Sequence, residues 1–220
     1  MRRLGLTVAA ILVGFGLSIN FAIADDWAEC NGKDSDAALA ACRRLISNGD
    51  LSYAQKTTLA STFNHRGQTF NLTGNFDRGL ADLSLAIDLR PDFVIAWVNR
   101  AFSHGKKGDV DGAMADVNKA IELDPKNVQA YITRGTAFYF KKDYENAIVN
   151  FNKALALDPN QASAFDGLGH AYGKKGDYDQ AVAYYTKALA IDPNNKSTAN
   201  NLAEARKVLA SQTKPRSIPP

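Results

Sequence analysis

Short apolar stripes alternate with polar turns from residue 60 to residue 195, and the alternation returns with a fixed period. Within each period, large and small residues recur at spacings of four and three, which place side chains on one face of a helix. Each period holds two stripes, and turns rich in Gly, Lys and Asp, such as 105–109 and 173–177, separate them. The pattern therefore predicts two amphipathic helices per period.

The period is set by prolines that follow one another at intervals of 34 residues: Pro91, Pro125, Pro159 and Pro193. We expect each proline at the first turn of the next helix, because proline suits that position and cannot continue a preceding helix. The register defines four units: 60–93, 94–127, 128–161 and 162–195. One helix pair cannot bury its apolar stripe alone, whereas stacked pairs can, so the units should form a continuous array.

Residue size is also periodic when positions are numbered from 1 to 34 within each unit. Aromatic residues hold position 4, small residues hold positions 8, 20 and 27, and large apolar residues hold position 24. Position 4 is Phe63, Trp97, Tyr131 and Phe165; position 8 is Gly67, Ala101, Gly135 and Gly169; position 24 is Leu83, Val117, Phe151 and Tyr185. The small residues should let helix axes approach closely while the large residues fill the remaining space.

This pattern of positions resembles the tetratricopeptide repeat across residues 60–195. The resemblance implies an all-α fold, a right-handed superhelical solenoid of helix-turn-helix repeats. Position 7 departs from the family, which usually has leucine there, because three of the four units carry Arg66, Arg100 and Arg134, and only Leu168 agrees.

The ends of the array have patterns of their own. Residues 196–211 hold an apolar face and a polar face, which is typical of a helix that caps a solenoid, and residues 212–220 have the composition of a flexible tail. Residues 25–59 are expected to form an N-terminal helical cap. Its combination of Asp26, Cys30 and Cys42 is similar to the leader of exported bacterial tetratricopeptide proteins.

Residues 1–24 have the three parts of a secretory signal: a positive start at Arg2 and Arg3, an apolar run, and a small-x-small site at 22–24. We therefore expect cleavage after Ala24 and a periplasmic or secreted protein. The alternative is an uncleaved membrane anchor, since the apolar run is close to the minimum length of a spanning helix.

Cys30 and Cys42 are the only cysteines of the chain. An even number of cysteines in an oxidising compartment favours a disulfide, which would pin the N-terminal cap. The alternatives are two free thiols or half of a metal site, although no histidine lies nearby in sequence.

The charge of the whole chain is +3, with 26 basic and 23 acidic residues. Removal of residues 1–24 takes away two of the basic residues and no acidic one, so the mature chain would carry +1. No run of Lys or Arg remains to follow a phosphate backbone, and no second apolar segment is long enough to span a membrane. We therefore expect neither a nucleic-acid partner nor a membrane-spanning mature chain.

Motifs for catalysis are missing from the sequence. It has no Walker loop and no Gly-x-Ser-x-Gly elbow, and His65, His104 and His170 do not have the spacing of metal ligands within one helix. The sequence therefore predicts a protein that is not an enzyme and has no cofactor and no metal site.

The resemblance implies that the first helix of each unit lines a concave groove through positions 2, 5, 9, 12 and 13. The groove residues expected on this basis are Asn64, Gln68, Ile95, Val98, Phe102, Gln129, Ile132, Thr136, Tyr139, Phe140, Asp166 and His170. Apolar and aromatic residues in the middle with polar residues at both ends are typical of a protein-binding surface.

We therefore expect a non-catalytic module that binds a protein or peptide in this groove, outside the cytoplasm. The alternative is a structural or assembly subunit of a cell-envelope complex that uses its convex face or its ends. Chaperone-binding relatives hold a terminal carboxylate with basic groups at set positions. The residues here are Asn64, Gln68, Asn99, Gln129 and Thr133, of which only Asn99 matches, so no such clamp is expected.

Overall fold

The computed structural model describes residues 26, 28–30, 36–49 and 51–213, and the regular elements of this part of the chain are helices. They are α1 (Asp36–Asn48), α2 (Tyr53–Leu72), α3 (Phe76–Leu89), α4 (Val94–Lys106), α5 (Val110–Leu123), α6 (Val128–Phe140), α7 (Tyr144–Leu157), α8 (Ala162–Lys175), α9 (Tyr178–Ile191) and α10 (Lys196–Thr213). The expected signal at 1–24 and the expected tail beyond residue 213 lie outside the described residues.

The helices pack as consecutive pairs, α2 with α3, α4 with α5, α6 with α7 and α8 with α9, and each pair packs on the next. Contacts between first helices also link α2 to α4, α4 to α6 and α6 to α8. The first helices therefore form one continuous layer, and the structure confirms the all-α solenoid that the sequence predicts.

Two boundaries differ from the expected ones. The first helix of unit one begins at Tyr53, so residues 53–59 belong to α2 and not to a separate cap. Ser52 starts this helix with a capping box, in which its side chain accepts from the Gln55 backbone N–H. At the other end, α10 continues to Thr213 instead of ending at residue 211.

The prolines lie in the turns between units. The expectation that they occupy the first turn of the following helix is therefore wrong. Helices α4, α6, α8 and α10 begin at Val94, Val128, Ala162 and Lys196. The residue before the proline explains the turn, because the carboxylate of Asp124 accepts from the Lys126 backbone N–H at 3.0 Å. Asp158 and Asp192 make the equivalent bond.

The turn inside each unit has a left-handed residue at position 15. Its φ is +79° at Gly74, +82° at Gly108 and +84° at Gly176, whereas unit three has Lys142 with φ +62°. Glycine adopts this conformation without strain, and a lysine does so at some cost. The acceptor that follows, Asn75, Asp109, Asp143 or Asp177, caps the second helix of its unit.

Each helix pair is held at close distance by a contact between positions 8 and 24. A Cβ atom added at Gly135 would lie 2.8 Å from the Phe151 ring, and one added at Gly67 would lie 2.7 Å from the Leu83 side chain. In unit two, position 8 is Ala101 and position 24 is the smaller Val117. Close approach of the two helices therefore requires that the sizes at positions 8 and 24 match.

The arginines at position 7 bind the second helix of their own unit. Arg100 donates to both carboxylate oxygens of Asp116, at 2.8 Å and 2.7 Å, and also to Ser84 of the preceding unit at 3.1 Å. Arg66 pairs with Asp82 in the same way. Each guanidinium also lies over the aromatic ring at position 4. The family usually has a leucine at position 7. In these three units an arginine stands there instead and makes a partly buried polar contact.

Unit three varies this contact and unit four lacks it. Arg134 donates to Asn150, a neutral residue, at 2.7 Å. In unit four, position 7 is Leu168, which is fully buried, and position 23 is Tyr184. The carboxylate at position 23 is therefore lost in unit three, and the arginine at position 7 is lost in unit four.

Residues before α2 pack against the first unit. The structure joins Cys30 to Cys42 by a disulfide, with both residues buried among Leu45, Leu59 and Ala60. Arg44 of α1 pairs with Asp26 and Glu29 on the surface. The contact closes the apolar end of the first helix pair.

Substitution of Gly135 by alanine should destabilise the fold by about 1–3 kcal/mol, because the added methyl group overpacks the contact with Phe151. Leucine at the same position should cost more. The control is Gly173→Ala, whose added Cβ would lie 3.8 Å from the Ala181 Cβ, an ordinary contact. Thermal unfolding followed by circular dichroism should show a lower Tm for Gly135→Ala alone, and equal Tm values would contradict the packing of positions 8 and 24.

Substitution of Asp116 by alanine should cost about 3 kcal/mol, because it leaves the Arg100 guanidinium partly buried without its carboxylate. The control is Asp111→Ala, which removes an acid that is 89% exposed and pairs with Lys141 at 2.6 Å. Loss of that surface pair should cost less than about 1 kcal/mol. Urea unfolding measures both values, and equal losses would show that the position 7 contact does not stabilise the fold.

Candidate functional site

The layer of first helices, α2, α4, α6 and α8, presents a surface that we call the first-helix face. The residues expected to line a groove all lie on these four helices, but their exposure differs. The exposed ones are Gln68, Ile95, Phe102, Gln129, Thr136 and Phe140. Asn64, Tyr139, Asp166 and His170 are half-buried.

Two expected groove residues are buried instead. Val98 is 4% exposed and packs with Ala101 and Val117, and Ile132 is 5% exposed and packs among the core residues of units three and four. Both residues hold position 5, which faces the helix of the neighbouring unit. A branched apolar side chain at this position is therefore buried against that helix. Ile132 is therefore a core residue, whereas Val98 also reaches the wall of a pocket.

A pocket of about 300 Å³ opens on the first-helix face where α2, α4 and α6 meet. It is lined by Gln68, Ile95, Val98, Asn99, Phe102, Asn127, Gln129 and Thr133. Five of these are residues that the sequence predicted for the groove. The structure thus brings predicted residues from three successive units to one concavity.

The other three lining residues, Asn99, Asn127 and Thr133, were not among the predicted groove residues. Asn99 and Thr133 share position 6, and Asn127 caps α6 through its side-chain oxygen, which accepts from the Ala130 backbone N–H. The side chain of Asn99 donates to Asn64 at 2.9 Å and so links α4 to α2. Only units two and three have a short polar residue at position 6, since the other two have His65 and Gly167, so the sequence carries no consistent signal for these residues.

Aromatic residues continue the face toward the C-terminal end. The Tyr139 ring lies 5.6 Å from the Phe140 ring and 5.9 Å from the His170 ring, between centroids. His170 also contacts the ring of Tyr185 edge-on. This part of the face therefore combines α6 and α8 in one aromatic cluster, with Phe140 exposed at its edge.

Asp166 and His170 are tied to the capping helix α10. Thr198 donates to Asp166 at 2.7 Å, and the His170 Nε2 lies 3.3 Å from both Asp166 Oδ2 and the Asn201 side-chain nitrogen. Burial by itself raises the pKa of Asp166, but the hydrogen bonds from His170 and Thr198 outweigh it and lower the pKa. These contacts fix α10 against α8 and leave Asp166 ionised at neutral pH.

The described residues contain no group of three or more His, Cys, Asp or Glu side chains placed to hold a metal ion. Among the helices that the structure describes, none is both long enough and apolar enough to cross a membrane. What the first-helix face offers is apolar area, neutral amides and aromatic rings, which suit non-covalent binding.

Models of the tetratricopeptide repeat match residues 94–127 and 167–195, and a TPR repeat model matches residues 135–176. The matched segments lie within units two to four of the array and leave residues 128–134 unmatched. A comparison with curated proteins found no match.

Several solved structures have a similar fold. Pseudomonas aeruginosa pilF is 22% identical over 71% of this chain and 71% of its own, with a TM-score of 0.64. MamA is 23% identical over 66% of this chain and 84% of its own, with a TM-score of 0.55. The first TPR of Spaghetti (RPAP3), bound to the HSP90 peptide SRMEEVD, is 22% identical over 55% of this chain and 95% of its own, with a TM-score of 0.52.

At these identities the structural likeness establishes a shared fold. It agrees with the family matches, with the period of 34 residues and with the packing of small residues at position 8 against large ones at position 24. Residues 94–127 and 135–195 of the chain are therefore tetratricopeptide repeats.

Proposed function

We propose that this protein is a non-catalytic module that binds a protein or peptide partner through its first-helix face, outside the cytoplasm. The observation that carries the proposal is the pocket shared by α2, α4 and α6, since a concavity between helices of three units is suited to an extended ligand. Asp166 and His170 support the non-catalytic part, because both are engaged in contacts with α10.

Exposed apolar residues on the same face support the proposal. Ile95, Phe102 and Phe140 are 50%, 42% and 59% exposed and belong to the neighbouring helices α4 and α6. Large apolar side chains in and around a pocket supply most of the affinity of typical protein interfaces. A partner that covers Phe102 and Phe140 would bury apolar area that the fold leaves in water.

The similar structure of RPAP3 with an HSP90 peptide shows that this fold can hold a peptide. That peptide, SRMEEVD, contains three acidic residues, whereas the pocket described here has no Lys or Arg in its lining. We therefore propose that the first-helix face binds peptides in general, as this fold can, but that its ligand belongs to a different class from the acidic HSP90 peptide.

Substitution of Phe102 and Phe140 by alanine together should abolish the capture of partners from an envelope extract, because it removes the apolar anchors of the first-helix face. The matched control is Val149→Ala, which removes a side chain that is 62% exposed on the second helix α7. Affinity capture followed by mass spectrometry compares the three proteins.

Unchanged capture by the double variant would contradict binding on the first-helix face. If the double variant still captures partners and Val149→Ala does not, the alternative is favoured. In that alternative the protein is a structural or assembly subunit of an envelope complex and uses the faces of the second helices. A circular dichroism spectrum identical to that of the unchanged protein is required for each variant.

Export is the second part of the proposal. The secretory features of residues 1–24 support it, and so do Cys30 and Cys42, which are buried and within bonding distance of each other. A disulfide persists in an oxidising compartment and is rare in the cytosol. In the chain-entropy model a bond across such a short loop would stabilise the cap by about 3 kcal/mol at most.

The intact mass of the exported protein should correspond to a chain that begins at Asp25 and has two hydrogens fewer than the reduced form. Removal of the precursor segment and formation of one disulfide account for the two differences. A thiol-labelling reagent applied before reduction should add nothing. A mass that includes residues 1–24, or labelling of Cys30 and Cys42, would contradict this part of the proposal.

A further inference from the structure

The lining of the pocket on the first-helix face contains no ionisable side chain. Ile95, Val98 and Phe102 provide apolar walls on α4, and amide or hydroxyl groups provide the remainder. The arginines at position 7 of the same helices are turned to the second helices, where Arg66 and Arg100 pair with Asp82 and Asp116. The residues that line the pocket are therefore uncharged, while the Nζ atom of Lys106, outside the lining, lies 5.3 Å from the centroid of the Phe102 ring.

Thr133 in this pocket differs from other threonines of the helices. The hydroxyls of Thr57, Thr58, Thr62, Thr69, Thr136 and Thr186 donate to the backbone carbonyl four residues earlier. Thr133 is only 9% exposed, and its hydroxyl has no hydrogen-bond partner among the residues that the structure describes. No buried side-chain oxygen or nitrogen among the described residues lacks a hydrogen-bond partner, so this hydroxyl is reached by solvent from the pocket and can bond to a ligand there.

Two further groups at the pocket are unused by the fold. The side-chain amides of Gln68 on α2 and Gln129 on α6 form no hydrogen bond with another described residue and remain exposed. Each amide can both donate and accept, as can the Thr133 hydroxyl. Together they match the alternating N–H and C=O groups of a peptide main chain, which also lacks net charge.

We propose that the pocket binds an extended segment of the partner that places one large aliphatic or aromatic side chain between Ile95 and Phe102, with no charged residue beside it. Thr133, Gln68 and Gln129 bond to the main chain of that segment. The inference rests on the proposed function and names the class of peptide that the same face selects.

The size and the chemistry of the pocket both favour this ligand. Its volume, about 300 Å³, is at the small end of ligand pockets and suits one side chain with the adjoining main chain. A charged side chain would be removed from water with no counter-charge in the lining, which costs several kcal/mol. A charged side chain should therefore be excluded from the space between the lining residues, even though the Lys106 Nζ lies over the Phe102 ring.

The test is selection of a phage-displayed library of random dodecapeptides on the purified protein, followed by fluorescence anisotropy of the enriched peptides. The enriched sequences should share one large apolar residue whose neighbours are uncharged, and Phe102→Ala should abolish their binding. Re-selection on Gln129→Lys should enrich Asp or Glu beside the apolar residue, because the substitution places a cation in a neutral pocket.

Thr133→Val tests the hydroxyl that faces the pocket, since it keeps the shape of the side chain and removes only the hydrogen-bonding group. Affinity for an enriched peptide should fall by about threefold to tenfold, the effect of one lost hydrogen bond. The Tm should be unchanged or higher, because the fold does not use this hydroxyl. The control is Thr186→Val on α9, which should leave the affinity unchanged.

The outcomes separate the inference from the proposed function. The enriched peptides could instead carry charged residues at the shared position and lose binding to Phe102→Ala. That result would overturn the selection of uncharged segments and would still support peptide binding on this face. Unchanged affinity of Thr133→Val would overturn the role of its hydroxyl. Enriched peptides that bind Phe102→Ala normally, or the absence of enrichment, would overturn both the inference and the proposed use of the face.

Discussion

The close contact between the two helices of each unit is the constraint on which the remaining structure depends. The backbone at position 8 lies against the side chain at position 24, as Gly135 does against Phe151, and little space is left for another atom. Because this contact fixes the second helix behind the first, the first helices can stack on one another in a single layer. The pocket and the aromatic cluster are consequences of that layer, since both need side chains from successive first helices.

The arginines at position 7 work within the same constraint. They extend from the first helix to the second, where Asp82, Asp116 or Asn150 accepts their hydrogen bonds. A leucine would fill this space without polar partners, as Leu168 does in unit four. The arrangement directs these guanidinium groups to the second helices, so none of them lines the pocket on the other side.

Most of the fold could be predicted from sequence, because burial repeats every 34 residues and the spacing of the apolar residues identifies helices. The site could be predicted only in part. A position in a repeat gives the direction of a side chain but not its burial: at position 5, Ile132 is in the core whereas Asp166 is half-buried. Thr133 was missed as a groove residue because its significance lies in an unpaired hydroxyl, and pairing depends on the three-dimensional surroundings.

The central claim is that a partner binds the first-helix face, and hydrogen–deuterium exchange of the protein with and without a captured partner tests it most directly. Binding should slow the exchange of backbone amides in α4 and α6, around Phe102, Gln129 and Thr133, and should leave α5, α7 and α9 unchanged. Slower exchange confined to the second helices α5, α7 and α9, with α4 and α6 unaffected, would contradict the claim.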